Sequence, residues 1–364
     1  MRRGRRLGRE RKITEAIHMR QSDGSASITD VAARAGVSHQ TVSRVLNGHP
    51  YVSVRTRAAV EAAIRDLNYR PSRAARALAS GNARVVTVLA SNTTLYGYAA
   101  TIQGIEEAAR LRGVTLVISV VDSTEPRAIQ AAVESVSDPR SGSVIVLAYD
   151  EVGLRALQSL PQDLPQAAAI GRSFSGGRTK PDPRWVWLAD YDAAYAATSY
   201  LLDLGHRTVH HVPIPSWTKD QREGGWRAAL LDRGAPVPAL PAPGWDARSG
   251  YLTGTRYGED PEVTAILCGN DDLALGVYRA LLEAGRRIPE DVNVVGFDDS
   301  PVAAFLTPSL STVRLDFVSL GRASFDLLWD QISGAPTSPR TPLAIPQLII
   351  RESIWASPRK EFAR

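Results

Sequence analysis

Beyond residue 83 the sequence alternates between two kinds of segment, and that alternation confines the chain to a narrow class of folds. Short apolar runs, RVVTVLA, VTLVISV, SVIVLA, QAAAIG, TVHHVP, TAILCG and VNVVGF, are separated by amphipathic stretches such as GIEEAARLRG, AAYAATSYLLDLG, LALGVYRALLEAG and VSLGRASFDLLWDQISG. Strands that are apolar throughout belong to sheets covered on both faces, and strand–helix–strand repeats call for parallel pairing. The prediction is a doubly wound α/β core. Seven such strands, with a late return of the chain, suggest two lobes. In folds of this class a bound molecule sits in the cleft outside the carboxyl ends of the strands.

Residues 27–71 follow a different pattern, that of three short helices. Ser27 can cap the first, ITDVAARA, which Gly36 closes; Ser38 can cap HQTVSRVLN; and Ser53 or Thr56 can open TRAAVEAAIRDLNY. Ile28, Val31, Ala32, Val37, Val42, Val45, Leu46, Val60, Ile64 and Leu67 recur at three- and four-residue spacing and would share one small core. Pro71 ends the third helix, and SRAARALASGN makes a connector over 72–82. The expected organisation is an arginine-rich flexible arm (1–26, with Met19 as a second possible start), the three-helix domain (27–71), the connector (72–82), the two-lobed core (83–356) and a short tail (357–364).

Charge separates along the same boundary. Residues 1–82 hold 16 Lys and Arg against 6 Asp and Glu, whereas the remainder holds 27 against 32. The net charge of +5 therefore conceals a basic end suited to a polyanion and an acidic core. A merely solvated basic tail is the bland alternative.

Several classes are disfavoured. With 44% hydrophobic and 22% charged residues the composition matches neither a disordered nor a fibrous chain. No apolar run reaches the roughly 18 residues of a membrane span, and no apolar segment follows the basic N-terminus as in a secretion signal. Cys268 is the only cysteine, so no internal disulfide can form. A cytoplasmic protein is expected. No dinucleotide fingerprint, P-loop or G-x-S-x-G elbow follows a strand, and the adjacent Asp298 and Asp299 do not make a glycosidase pair. His206, His210 and His211 lie along a strand and its entry without helical metal spacing. Neither a catalytic role, a cofactor nor a metal is expected.

The helix, glycine-containing turn and second helix are spaced as in a helix-turn-helix, whose second helix presents its first residues to base edges in the major groove. His39, Gln40 and Arg44 would read bases, with Gln suited to adenine and Arg to guanine or phosphate; Ser38, Thr41 and Ser43 suit phosphate oxygens. The segments ITDVAARAGVSHQTVSRVLNG and VEAAIRDLNYRPSRAARALASG resemble the lactose-repressor (LacI/GalR) family over its DNA-binding and hinge region. That resemblance implies a hinge helix in which Leu78 wedges into a central minor-groove step, paired with its twofold mate on a palindromic operator.

The resemblance continues to about Ile354, with CGNDDLALGVYRALLEAGRRIPEDVNVVGFDDS as its most diagnostic stretch. It implies two periplasmic-binding-protein-like lobes around a small-molecule effector, a sugar in the first instance. Asn270, Asp298 and Arg222 match the family's ligand-contacting positions, and an amide, a carboxylate and a guanidinium together suit adjacent hydroxyls. Trp245, Ser91, Leu95 and Phe317 match wall positions of the lactose-repressor branch. Gly171 departs from that branch, which carries a pocket aspartate there, and Arg172 follows it. The tail SPRKEFAR lacks leucine heptads, so a homodimer is expected, joined on the N-terminal lobe around residues 96–112. The expected partners are thus double-stranded operator DNA, a small sugar effector and a second copy, with no membrane. A regulator dependent on a purine or other co-repressor, or a sugar-binding protein without a DNA role, is the alternative.

Overall fold

The computed structural model describes residues 26–46, 51–69, 85–121, 123–137, 142–171, 182–216, 221–335 and 346–355. The arm, the connector with Leu78, Arg172 and the tail lie outside the described residues. Contacts divide the chain into one unit up to Ala83 and a second from Arg84.

In the first unit, helices α1 (Ile28–Ala35), α2 (His39–Leu46) and α3 (Val54–Asp66) enclose a small core of Val31, Ala32, Val42, Val45, Val60 and Ala63. Local chemistry sets their ends. The Ser27 hydroxyl accepts from the Asp30 amide at 3.3 Å while the Asp30 carboxylate accepts from the Ser27 amide at 2.8 Å, a reciprocal capping box. Gly36 adopts a φ of 67°, which turns the chain out of α1 at no steric cost. Arg34 and Asp66 pair at 2.8 Å and tie α1 to α3.

The second unit contains two five-stranded sheets. The first has the order β2-β1-β3-β4-β5, from β1 (Val85–Ala90), β2 (Thr115–Val120), β3 (Ser143–Ala148), β4 (Gln166–Gly171) and β5 (Trp185–Leu188), all parallel. The second has the order β10-β9-β8-β7-β6, from β6 (His210–Val212), β7 (Ala265–Cys268), β8 (Asn293–Asp298), β9 (Ser311–Arg314) and β10 (Gln347–Ile349), with β10 alone antiparallel. Strands β3 and β4 are buried at every residue, as expected of sheets covered on both faces. Three strands of three or four residues, β5, β9 and β10, add to the seven read from sequence.

Helices α4 (Tyr96–Leu111), α5 (Pro126–Val136) and α6 (Glu151–Ser159) belong to the first lobe, and α7 (Asp190–Asp203), α8 (Arg222–Asp232), α9 (Ala247–Glu259) and α10 (Asp271–Glu283) to the second. Helix α11 (Phe317–Ser333) follows β9 yet packs on α4 and on β3 to β5, so the chain crosses back between lobes. Helices α9 and α10 meet at glycines: a β-carbon on Gly276 would lie 1.9 Å from the Ala247 carbonyl, and one on Gly250 2.1 Å from that of Leu273. Backbone packed against backbone in this way fixes the start of α9 against the start of α10.

Candidate functional site

A cleft opens between the two lobes of the second unit, lined by residues from both. Its walls come from the residues that follow strand after strand at their carboxyl ends. Leu95 and Tyr96 follow β1, Tyr149 follows β3, Gly171 ends β4, and Asp190 follows β5. From the other lobe come Ile214 after β6, Asn270 after β7 and Asp298 at the end of β8, with Trp245 before α9 and Phe317 at the start of α11. The topology thus gathers residues distant in sequence at one crevice.

Arg222 is the centre of the polar wall. It begins α8 with 6% exposure, its Nε donates to Asp190 Oδ2 at 3.0 Å, and its Nη2 lies 3.2 Å from Asp298 Oδ1. A further donor of the guanidinium reaches the Gly269 carbonyl, and the group lies over the Phe297 ring, 4.3 Å from its centroid. Burial works against the Arg222 charge, but the two carboxylates outweigh it and hold its pKa above the ordinary value. Burial pushes the Asp190 carboxyl upward and that of Asp298 well upward, each opposed by Arg222. Asp298 itself sits at a φ of 105°, a conformation side chains rarely adopt, and so turns its carboxylate back into the cleft.

Of the seven effector residues named from sequence, Leu95, Arg222, Trp245, Asn270, Asp298 and Phe317 line this cleft. Ser91 does not. Its hydroxyl donates to Asp150 at 2.5 Å and stands 2.8 Å from the Tyr98 hydroxyl, a network on the same lobe. Asn270 carries a structural duty too: its Oδ1 caps α10 at the Leu273 amide (2.8 Å), and its Nδ2 donates to the Trp245 carbonyl (2.9 Å). The amide thereby holds the tryptophan segment in place while leaving its second amide hydrogen for the cleft. Tyr96 and Phe317 meet edge to face at 6.1 Å and supply an aromatic wall opposite the charges.

Sequence reasoning passed over Asp190 and Gln221. Asp190 opens a helix, where an acidic residue reads as a favourable dipole partner, and its mate Arg222 stands 32 positions away. Gln221 donates to the Gly171 carbonyl at 2.9 Å, joining the two lobes across the cleft mouth. The histidines have ordinary surroundings: His206 contacts Thr264 and Asn293, His210 meets Tyr257 edge to face, and His211 stacks on Trp226 at 5.4 Å.

In the first unit, Val42 and Val45 of α2 are buried, which turns the opposite side of the helix outward. Ser38, His39, Gln40 and Arg44 are exposed, and Thr41 and Ser43 half-buried. Ser38 accepts from the Thr41 amide at 3.2 Å and so caps α2, fixing the helix start at which His39 and Gln40 stand exposed.

Residues 27–72 match the lacI family of bacterial regulatory proteins, and residues 198–354 match a periplasmic binding protein-like domain. The chain is 30% identical to the HTH-type transcriptional repressor PurR of Erwinia tasmaniensis over 345 residues, which are 93% of this chain and 100% of that one. It is 33% identical to the lactose operon repressor of Escherichia coli (strain K12), covering 83% of each. The solved lac repressor dimer bound to operator and the anti-inducer ONPF matches with a TM-score of 0.77 at 29% identity, over 91% of this chain and 99% of that one. The complex of the transcriptional regulator CelR with cellobiose matches at 0.63 and 28% identity, over 90% and 99%. Helix-turn-helix, two-lobed cleft and full-length similarity agree, and the chain belongs to the lacI family of bacterial regulatory proteins.

Proposed function

We propose that the chain is a sequence-specific DNA-binding repressor, acting in the cytoplasm, that a small sugar in the cleft releases from a palindromic operator. The observation that carries this reading is the buried guanidinium of Arg222 set between two carboxylates beside Trp245, at the junction of both lobes. Carboxylates accept from hydroxyls, the guanidinium donates to ring and hydroxyl oxygens, and an aromatic face suits the C–H face of a sugar. The exposed polar start of α2 supplies the base-reading side, with Leu78 as the hinge wedge that the family resemblance implies.

A second copy completes the reader on a twofold operator. Helix α4 packs on α11 and buries half its residues, leaving Leu111 80% exposed at its end, and edge strand β2 of the same lobe exposes Val117, Ile118 and Val120 at 45–50%. An apolar edge of this kind calls for a cover, and a second copy supplies it. In this mechanism, sugar binding favours one arrangement of the two lobes, and the altered dimer separates its hinges. A thousandfold loss of operator affinity requires about 4 kcal/mol of coupling.

The test is fluorescence anisotropy of a labelled fragment from upstream of the coding sequence, titrated with protein at fixed salt, alone and with panels of sugars and purines. Tight binding released by a sugar is the expected result. Binding that requires a purine makes the protein a co-repressed regulator, and no specific binding under any condition ends the DNA-reading account.

A further inference from the structure

The polar wall of the cleft holds an acceptor with nothing to accept. Asp190 is 3% exposed, its Oδ2 is taken by Arg222, and its Oδ1 is buried without a hydrogen-bond partner while the residue lines the cleft. Asp298 presents the same arrangement from the other side of the guanidinium: its Oδ1 sits within ion-pair distance of Arg222 but accepts no aligned hydrogen bond. A buried carboxylate oxygen left without a donor is costly, so such groups mark places where a donor arrives.

Arg222, for its part, is already engaged. Its three nitrogens face Asp190, Asp298 and the Gly269 carbonyl. Two carboxylates stand against the one guanidinium, so an incoming carboxylate or phosphate that reached a remaining N–H of Arg222 would also meet two like charges. An incoming hydroxyl carries no charge, and it donates to Asp190 Oδ1 while leaving the ion pairs whole. Gly171 stands next to this carboxylate: a β-carbon there would make ordinary contact with Asp190 Oδ2 and the Tyr149 ring, each at 3.5 Å.

We propose that Asp190 is a second hydroxyl-accepting carboxylate of the effector site, standing opposite Asp298 across Arg222, and that this pair selects an uncharged polyhydroxyl ligand over its anionic counterparts. The inference rests on the reading of the cleft as a sugar site and names the class of sugar.

The test uses the full-length protein and isothermal titration with matched probes: glucose, galactose, cellobiose and lactose against glucose 6-phosphate, galacturonate, cellobionate and lactobionate, with hypoxanthine and guanine as a separate arm. Wild type should bind a neutral sugar at least a hundredfold tighter than the acid made from it. Asp190→Asn should weaken that neutral sugar at least tenfold and narrow the gap between the pair, with operator binding retained as the check that the variant is folded. Equal binding of a sugar and its acid by wild type overturns the selection, and this arm needs no variant. An unchanged neutral-sugar affinity in folded Asp190→Asn overturns the role of Asp190 while leaving the sugar reading intact. Binding of a purine but of no sugar overturns the sugar reading, and the inference with it.

Discussion

Nη2 of Arg222 and Oδ1 of Asp298 stand 3.2 Å apart, although one residue opens helix α8 and the other ends strand β8. An arginine in the first turn of a helix opposes the helix dipole, and a buried ion pair recovers its desolvation cost only when fully satisfied. Arg222 is therefore poorly explained by stability alone. Arg222→Ala should abolish any sugar response and also strand two buried carboxylates, lowering stability by about 3–5 kcal/mol unless they protonate. Arg222→Lys should fail to restore binding, because one ammonium cannot replace the planar fork facing Asp190 and Asp298. Calorimetry and urea unfolding on both variants check this.

The glycine contact of α9 with α10 should control the cleft from a distance. Gly276→Ala would place a methyl 1.9 Å from the Ala247 carbonyl and 2.5 Å from the Tyr251 amide, both backbone atoms that cannot rotate away. The expected cost is about 1–3 kcal/mol of stability, together with weaker sugar binding as the Trp245–Asn270 hydrogen bond loses register. Thermal unfolding and sugar titration of the variant should show both effects.

Two buried groups should oppose each other in acid. Burial raises the Asp271 carboxyl to about 6, against hydrogen bonds from Thr312 and Ser300, and burial lowers His211 to about 4. The folded state therefore holds the Asp271 proton to higher pH than the unfolded chain does, so this contribution to stability is full below about pH 4 and is lost as pH rises through 6. His211 works in the other direction: its contribution is full above about pH 6.5 and is lost as pH falls through 4. Each is on the order of 3 kcal/mol. Asp271→Asn should remove one slope and expose the other, so that the variant loses more stability than wild type between pH 6.5 and 4.5. Parallel urea-midpoint profiles would contradict it.

At the DNA side, Gln40→Ala should cost about 1–3 kcal/mol of discrimination at one base pair of each half-site without altering the salt slope. Anisotropy titrations against single-base operator variants at several salt concentrations separate that outcome from loss of a phosphate contact.

The first unit was legible because its information is local. Ser27, Gly36, Ser38 and Ser53 announce helix ends within a few residues, and the valines of the small core recur at helical spacing. The long apolar strands were legible for the same reason. Strands β5, β9 and β10 were not: β6 and β7 are as short but sit in the apolar runs TVHHVP and TAILCG, whereas the pairing of these three is decided by neighbours far along the chain. At the cleft, Arg222, Asn270 and Asp298 were named through resemblance, whereas Asp190 acquires its meaning only when β5 and α8 are brought together. Ser91 was named through the same resemblance, and its hydroxyl meets Asp150 and Tyr98, a pairing that only the folded lobe reveals.

The central claim is that occupancy of the cleft and occupancy of the operator are coupled, and linkage makes this testable from both ends. The decisive measurement is the affinity of the releasing sugar for the full-length protein, free and saturated with operator DNA, beside the affinity for operator with and without that sugar. Sugar affinity should fall on DNA by the same factor by which operator affinity falls with sugar, about a hundredfold or more, whereas a sugar affinity unchanged by operator would contradict the account.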